Sequence, residues 1–303
     1  MGNTFSLFTG QNEIEFHKKF SDEASCMEYL MELKWGNGFS CPHCGGIQES
    51  NCNMTYSKRC RQCNRIVSAT ANTLFHHVKF GIQKAFLIVF KMSATTKSIS
   101  AEQLAKTIGV NRKTALLFQH KVRLAMKSSG KYPLAGQVEV DETFMGGKDE
   151  TVGRSTETKS LVVVAIEKHG ATGVKRMYAR KIDNASAAQL KTVFDKHVAT
   201  DAQILTDKWT GYSPLKDVYR ITQEKSEPDR NFKVMHRCIQ QLKSWIRGIH
   251  HSVNEAYLQG YLDEFCYRIN RSIFKQNIFN NLLSRMIEGE YKTKNQLKFA
   301  YCN

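Results

Sequence analysis

The chain has 303 residues, with 44 Lys and Arg against 28 Asp and Glu, a formal charge of +16 and a pI of about 9.4. That length holds one large domain with one or two small ones, and so large a charge excess points to a polyanionic partner, most simply nucleic acid. There is no apolar run of transmembrane length, no signal-peptide layout and no basic amphipathic anchor helix, and the odd count of nine cysteines argues for a reducing compartment over a secreted disulfide framework.

Residues 13–34 read as one or two short helices, with Phe16, Phe20, Cys26, Tyr29, Leu30 and Leu33 as the apolar positions and a start signal at Ser21-Asp22-Glu23. Cys41-Pro-His-Cys44 and Cys60-Arg-Gln-Cys63 follow, separated by fifteen residues. Two knuckles at this spacing predict a zinc ribbon, in which Cys41, Cys44, Cys60 and Cys63 hold one structural Zn²⁺ and leave no coordination position open. His43 and Cys52 are expected outside the ligand set. Arg61 and Arg65, with Lys58 and Arg59, put positive charge around the second knuckle, where it can meet DNA phosphates.

An apolar helix is predicted from about Phe80 to Met92. Ser100 and Gln103 then have the spacing of a capping box, Gly109 breaks the short helix so begun, and Asn111 caps another running to about Met126. This is a helix–turn–helix pattern. Arg112, Lys113, Thr114, Gln119, His120, Lys121 and Arg123 on the second helix are of the types that touch phosphates and base edges, although a helical hairpin with a solvated basic face has the same appearance.

After Gly130 the periodicity changes to that of strands. Residues 138–144, 161–167 and 174–182 read as three strands, 186–198 as a helix, and 203–206 and 219–222 as two short strands; a polar connection spans 148–159. Val138 and Val140 alternate with Glu139 and Asp141, and Gly146-Gly147 end that strand. Alone, this is an acidic strand face as readily as a site. Asp207 just beyond the fourth strand can meet Asp141 at the centre of the sheet, and the element order is that of an RNase H-like core.

A two-metal phosphoryl-transfer site needs a third ligand from a following helix. Glu224 and Glu227 fall in a polar loop beside Pro228. On the helix expected from about Met235 to Arg247, His236 and Lys243 lie seven residues apart and stack on one side. His236 is therefore expected as the third metal ligand, with Lys243 and Arg247 engaging phosphate. A neutral imidazole leaves the site one negative charge short and favours Mn²⁺ relative to a three-carboxylate site. Glu142, Glu255 and Glu264 are rival acids, and Glu142 is expected on the opposite strand face from Asp141.

With these residues in place the chain resembles the bacterial insertion-sequence transposases of the zinc-ribbon, DDE-superfamily type. The segments that carry the resemblance are Phe39-Ser-Cys-Pro-His-Cys44, Thr73-Leu-Phe-His76, the run from Val138 to Lys148, Leu205-Thr-Asp-Lys-Trp-Thr-Gly-Tyr212, Gly248-Ile-His-His251 and the run from Tyr261 to Arg271. The resemblance implies an α/β catalytic core of RNase H-like (retroviral-integrase-like) fold over 131–272. An N-terminal helical segment (1–36), the zinc ribbon (37–70) and a helix–turn–helix DNA-binding domain (71–130) precede it, and a helical tail (273–303) follows. It implies that Asp141, Asp207 and His236 hold two Mg²⁺ or Mn²⁺ per active site, with a basic residue, Lys243, seven positions further on. It further implies a bacterial, cytoplasmic enzyme that binds double-stranded DNA at the ends of its element, cuts it and joins the 3′-OH ends to target DNA, as a homodimer or higher oligomer. The alternatives are a catalytically inactive, domesticated DNA-binding protein and a metal-dependent nuclease without strand transfer.

Overall fold

The computed structural model describes residues 5–94, 97–146, 159–227, 230–251 and 253–301. Gly147, the polar connection over 148–158, Pro228 and Cys302 lie outside the described residues. The helices are α1 (Glu13–Lys19), α2 (Glu23–Trp35), α3 (Ile82–Ala94), α4 (Ala101–Ile108), α5 (Arg112–Met126), α6 (Ala187–His197), α7 (Lys233–His250), α8 (Leu258–Asn270), α9 (Ile278–Glu288) and α10 (Lys294–Phe299). The strands are β1 (Glu49–Ser50), β2 (Ser57–Cys60), β3 (Ile66–Ser68), β4 (Gln137–Met145), β5 (Ser160–His169), β6 (Gly173–Ile182), β7 (Gln203–Thr206) and β8 (Arg220–Gln223). The chain divides into two units, one of Met1–Ala125 with Phe274–Leu297 and one of Met126–Ile273 with Lys298–Asn303. No described helix is long and apolar enough to cross a membrane.

In the first unit, α2 starts at Asp22, one residue beyond Ser21. The Asp22 carboxylate accepts from the Ser25 N–H at 2.8 Å and the Ser25 hydroxyl answers to the Asp22 N–H, a reciprocal capping box. The helices bury an aromatic core of Phe16, Phe20, Phe86, Phe90 and Phe279, in which Phe16 stacks on Phe90 at 4.7 Å. Each ring contributes about 1.5–3 kcal/mol by leaving water. Phe279 comes from α9, and Asn280 beside it accepts from the Tyr29 hydroxyl at 2.6 Å, so a C-terminal helix completes an N-terminal core. Ser100 caps α4 by accepting from the Gln103 N–H, Gly109 ends it in the left-handed region at φ 65°, and the Asn111 carbonyl oxygen of the side chain receives the Lys113 N–H at 2.8 Å.

The ribbon is a three-stranded antiparallel sheet in the order β1-β2-β3. Its two knuckles are built alike. Gly45 and Asn64, each just after the second cysteine of a pair, take φ of 73° and 58°, and their N–H groups return to the carbonyls of Cys41 and Cys60 at 2.9 Å. Glycine and asparagine are the residues that tolerate this left-handed turn.

The second unit carries a five-stranded sheet in the order β6-β5-β4-β7-β8. β4, β5 and β6 are antiparallel neighbours; β7 runs parallel to β4 and β8 parallel to β7. β5 is apolar on both faces because both are covered. Val163 and Ala165 pack towards α6 with Leu190, Val193 and Phe194, while Val162, Val164 and Ile166 pack towards α7 and α8 with Met235, Leu242 and Leu262. This strand order, with helices on both faces, is compatible with an RNase H-like core.

Candidate active site and zinc site

β4 and β7 pair from Gln137↔Gln203 to Val140↔Thr206. β7 stops at Thr206, whereas β4 continues to Met145 beside β5 alone. Asp141 and Asp207 are thus the next residues on two adjoining parallel strands, at the point where one edge of β4 opens. Along β4, Val138 and Val140 point into the α6 core and Met145 into the α7 core. Glu142 follows the even-numbered side: its Oε1 accepts from the hydroxyl of Tyr212, a residue of the α6 core, at 2.5 Å. Asp141 follows the odd-numbered side, with Oδ2 3.8 Å from Nε2 of His236 on α7.

Opposite faces do not keep the two carboxylates apart. Asp141, Glu142 and Asp207 each bring a carboxylate oxygen within 4.8 Å of the others. The open edge of β4 lets both side chains reach around the strand towards Asp207. Asp207 itself is held from two sides: the N–H of Trp209 in the loop after β7 donates to its Oδ1 at 3.0 Å, and the amide of Gln223 at the end of β8 donates to its backbone carbonyl at 3.1 Å.

The electrostatics follow from this crowding. Burial pushes the Asp141 carboxyl above its usual range and the Asp207 charge adds to it, against the Glu142 N–H, His236 and Lys243, which pull it down. Burial also pushes Glu142 up to about 7, against the hydrogen bond from Tyr212 and helped by Asp207 and Asp141. Three carboxylates so placed cannot all ionise cheaply without a counter-charge. An all-oxygen, half-buried set of this kind fits hard divalent cations such as Mg²⁺ or Mn²⁺.

His236 lies in the first turn of α7, and its Nε2 is also 3.3 Å from the Ser226 hydroxyl. Lys243 and Arg247 are on the exposed side of the same helix, opposite the buried Cys238, Leu242 and Ile246. Burial lowers the Lys243 ammonium while the Asp141 carboxylate raises it, so the two sense one another. Of the three rival acids Glu142 joins the cluster, and the other two are engaged elsewhere. Glu255 pairs with Lys181 at 2.6 Å, and Glu264, without solvent exposure, pairs with Arg268 at 2.7 Å on its own helix. Glu142 is a rival acid in the sequence, expected on the strand face opposite Asp141; its convergence with Asp141 and Asp207 and its bond to Tyr212 were not expected. Their only trace is the adjacency of Glu142 to Asp141 and the place of Tyr212 five residues after Asp207.

In the ribbon the four cysteine sulfurs lie within 4.8 Å of one another, with Cys41–Cys63 at 3.7 Å and Cys44–Cys60 at 3.6 Å. Four sulfurs at tetrahedral corners about 2.3 Å from a zinc ion would be about 3.8 Å apart. Against a hydrogen bond from the Gly46 N–H, desolvation and the neighbouring thiols push Cys44 up to about 12, whereas against desolvation the His43 and Cys44 N–H groups and the neighbouring thiols bring Cys41 down to about 7: the sulfurs share protons, and a cation between them would hold them as thiolates. The cluster fits a structural Zn²⁺. His43 stands outside it, with Nδ1 2.9 Å from the Arg65 guanidinium, and Cys52 faces the carbonyls of Met54 and Ser57.

Of the residues expected on DNA, Arg61, Arg65, Arg112, Lys113 and Arg247 are exposed and Thr114 is half-buried. His120 and Lys121 are buried, as are Gln119 and Arg123. Beyond its first turns α5 is enclosed, with Phe118 and Val122 in the core, and the Lys121 ammonium donates to the His76 carbonyl at 3.2 Å. The exposed basic face of α5 is therefore confined to its N-terminal end.

Residues 133–270 match the family model of the ISXO2-like transposase domain, and residues 21–65 match that of the transposase zinc-ribbon domain. An uncharacterized protein in transposable element ISH50 of Halobacterium salinarum is 24% identical over 224 residues, covering 68% of this chain and 74% of that protein. Among solved structures, a chain of a simian T-cell lymphotropic virus intasome in complex with PP2A regulatory subunit B56 gamma is similar over 59% of this chain. That similarity spans 64% of the other chain, less than two thirds, at 14% identity, and its TM-score of 0.29 is too low to bear on the fold. The two matched segments together cover more than half of the 303 residues, in the order that the knuckles and the carboxylate-bearing sheet occupy, and the chain belongs to the zinc-ribbon transposases of the ISXO2-like, DDE-superfamily type.

Proposed function

We propose that this protein is an active, metal-dependent DNA transposase that binds the ends of its own element, hydrolyses a strand to free a 3′-OH, and directs that 3′-OH onto a phosphodiester of target DNA. The observation that carries the reading is the meeting of Asp141, Glu142 and Asp207 at the open end of two parallel strands, inside the segment that matches the transposase domain. When bound, two Mg²⁺ or Mn²⁺ ions would lower the pKa of a water nucleophile and neutralise charge on the attacking and leaving oxygens.

The chain's own groups divide the remaining work. Asp141 and Asp207 present carboxylate oxygens from a rigid sheet, and His236 adds a neutral nitrogen ligand from α7. Lys243 and Arg247, on the exposed side of that helix, hold the phosphate. Glu142, fixed by Tyr212, supplies the third negative charge that His236 does not. Arg61 and Arg65 on the ribbon and Arg112, Lys113 and Thr114 at the start of α5 grip the DNA backbone or read base edges in a helix–turn–helix manner. Joining two element ends to one target needs two active sites, hence at least a homodimer on DNA. Such an enzyme works in the bacterial cytoplasm, at the nucleoid.

The test incubates purified protein with DNA carrying the element's end and Mg²⁺ or Mn²⁺, comparing wild type with Asp141→Ala. Nicking and joining by wild type alone support the proposal. Binding without nicking by wild type would establish the inactive, DNA-binding alternative, and nicking without joining the nuclease alternative. The intact set of three converging carboxylates favours the enzyme.

A further inference from the structure

Trp209 is half-exposed, at 48%, two residues beyond Asp207, and it is rigidly held. Its backbone N–H donates to the Asp207 carboxylate at 3.0 Å, its carbonyl accepts from the Gln223 amide at 2.8 Å, and its indole Nε1–H donates to the Ala185 carbonyl at 2.8 Å. The indole's polar edge is thus satisfied against protein while much of the ring remains in water. Gly211 makes this seat possible. A Cβ there would lie 2.6 Å from the Trp209 Nε1 and 2.5 Å from the Ala185 carbonyl oxygen, so any side chain at 211 would evict the indole. An exposed tryptophan in a mobile loop needs no explanation. One that is locked by three hydrogen bonds and a glycine notch beside a carboxylate of the site does.

We infer that Trp209 is a stacking platform for an unpaired nucleobase next to the scissile phosphate, so that the site takes DNA whose terminal bases are splayed from the duplex. The inference rests on the DNA-cutting reading of the Asp141–Asp207 site and deepens it. A base leaving its stack loses a neighbour on each face, and an indole fixed in place restores one without paying to order itself. Lys208, exposed between Asp207 and Trp209, and Lys243 and Arg247 on α7 supply the positive charge that the flanking phosphates need. The indole reads no hydrogen-bonding edge, so the preference is for an unpaired base and not for a sequence.

The full chain, held in Ca²⁺, is titrated with a short blunt duplex and with the same duplex ending in two unpaired bases, one a fluorescent purine analogue. Wild type is expected to bind the splayed end about tenfold more tightly than the blunt one, the scale of one base–aromatic stack, and to quench the analogue. Trp209→Ala loses both the preference and the quenching; Trp209→Phe retains most of each. Gly211→Ala, which keeps the indole but removes its seat, behaves as Trp209→Ala. Blunt-duplex affinity and melting temperature of Trp209→Phe, which keeps a ring in the seat, stay near the wild-type level, and a loss of splayed-end preference in Trp209→Ala that exceeds any loss of blunt-duplex affinity separates a stacking role from a folding one. A splayed-end preference that survives in Trp209→Ala, or that wild type lacks while binding blunt DNA, overturns the inference and leaves the DNA reading standing. Failure of wild type to bind either duplex overturns both.

Discussion

The Tyr212 hydroxyl donates to Oε1 of Glu142 at 2.5 Å from a side chain with no solvent exposure. Burial raises the phenol well above its ordinary range and the Glu142 charge adds to the rise, so Tyr212 stays a donor throughout the working pH range. The bond fixes a carboxylate that a flexible side chain would otherwise swing away from Asp141 and Asp207. Tyr212→Phe removes the donor and leaves a half-buried carboxylate unsatisfied. The expected loss is about 1–3 kcal/mol of unfolding free energy above neutral pH, read by urea denaturation of the metal-free protein.

Stability should also depend on pH through Glu142. Its pKa is raised by folding from 4.5 to about 7. A carboxyl raised in this way contributes stability that is fully present below its unfolded pKa and lost as pH rises through about 7. Glu142→Gln abolishes that loss. In metal-free buffer the variant is expected to be more stable than wild type above pH about 8, by up to about 3 kcal/mol, and Mg²⁺ or Mn²⁺ should raise the wild-type melting temperature more than that of the variant. Equal pH profiles for the two proteins would count against the convergent placement of Glu142.

Asp141→Asn keeps the shape of the side chain and removes a charge at the centre of the cluster. Strand cleavage is expected to fall by more than about 100-fold, above the loss that deleting a mere supporting partner of a metal ligand brings. His236→Ala should cost about 10- to 100-fold, with a smaller penalty in Mg²⁺ than in Mn²⁺, because the lost ligand is the softer nitrogen. Full activity in His236→Ala would remove it from the ligand set without touching the enzyme reading.

For the ribbon, Cys60→Ser is expected to abolish bound zinc, measured by atomic absorption on protein purified without chelator. A strong chelator should do the same to wild type and increase proteolysis of the segment between Cys41 and Cys63, because metal affinity here is folding free energy. Zinc retained by the variant would mean that the four sulfurs are not one site.

Arg112 and Lys121 sit on one helix but should respond differently. Arg112 is exposed at the start of α5, whereas the Lys121 ammonium donates to a backbone carbonyl inside the first unit. Arg112→Ala is expected to weaken DNA binding and to flatten the log affinity–log salt slope by about 0.9, one phosphate contact, with no change in melting temperature. Lys121→Ala should lower the melting temperature and leave the salt slope unchanged.

The parts of this protein that are legible in its sequence are those set by local chemistry. The spacing of two C-x-x-C knuckles, the Ser100 and Asn111 caps, the Gly109 stop, the alternation at the start of β4 and the continuous apolar run of β5 each encode a backbone geometry within a few residues, and each appears in the structure where the pattern falls. The order of strands and helices is compatible with the observed sheet, in which the crossover through α6 returns β7 to the side of β4. Tertiary packing decided what lies beyond that range. α9 fills an aromatic core begun by α1, a contact across more than two hundred residues that no local pattern contains. His120 and Lys121 have polar side chains of DNA-binding type, but the enclosure of α5 after its first turns takes them out of water. Glu142 belongs, by strand alternation, to the face opposite Asp141. Only the early end of β7 opens the edge around which its carboxylate joins Asp141 and Asp207, since the period of a strand fixes where a side chain starts and its neighbours fix where it can reach.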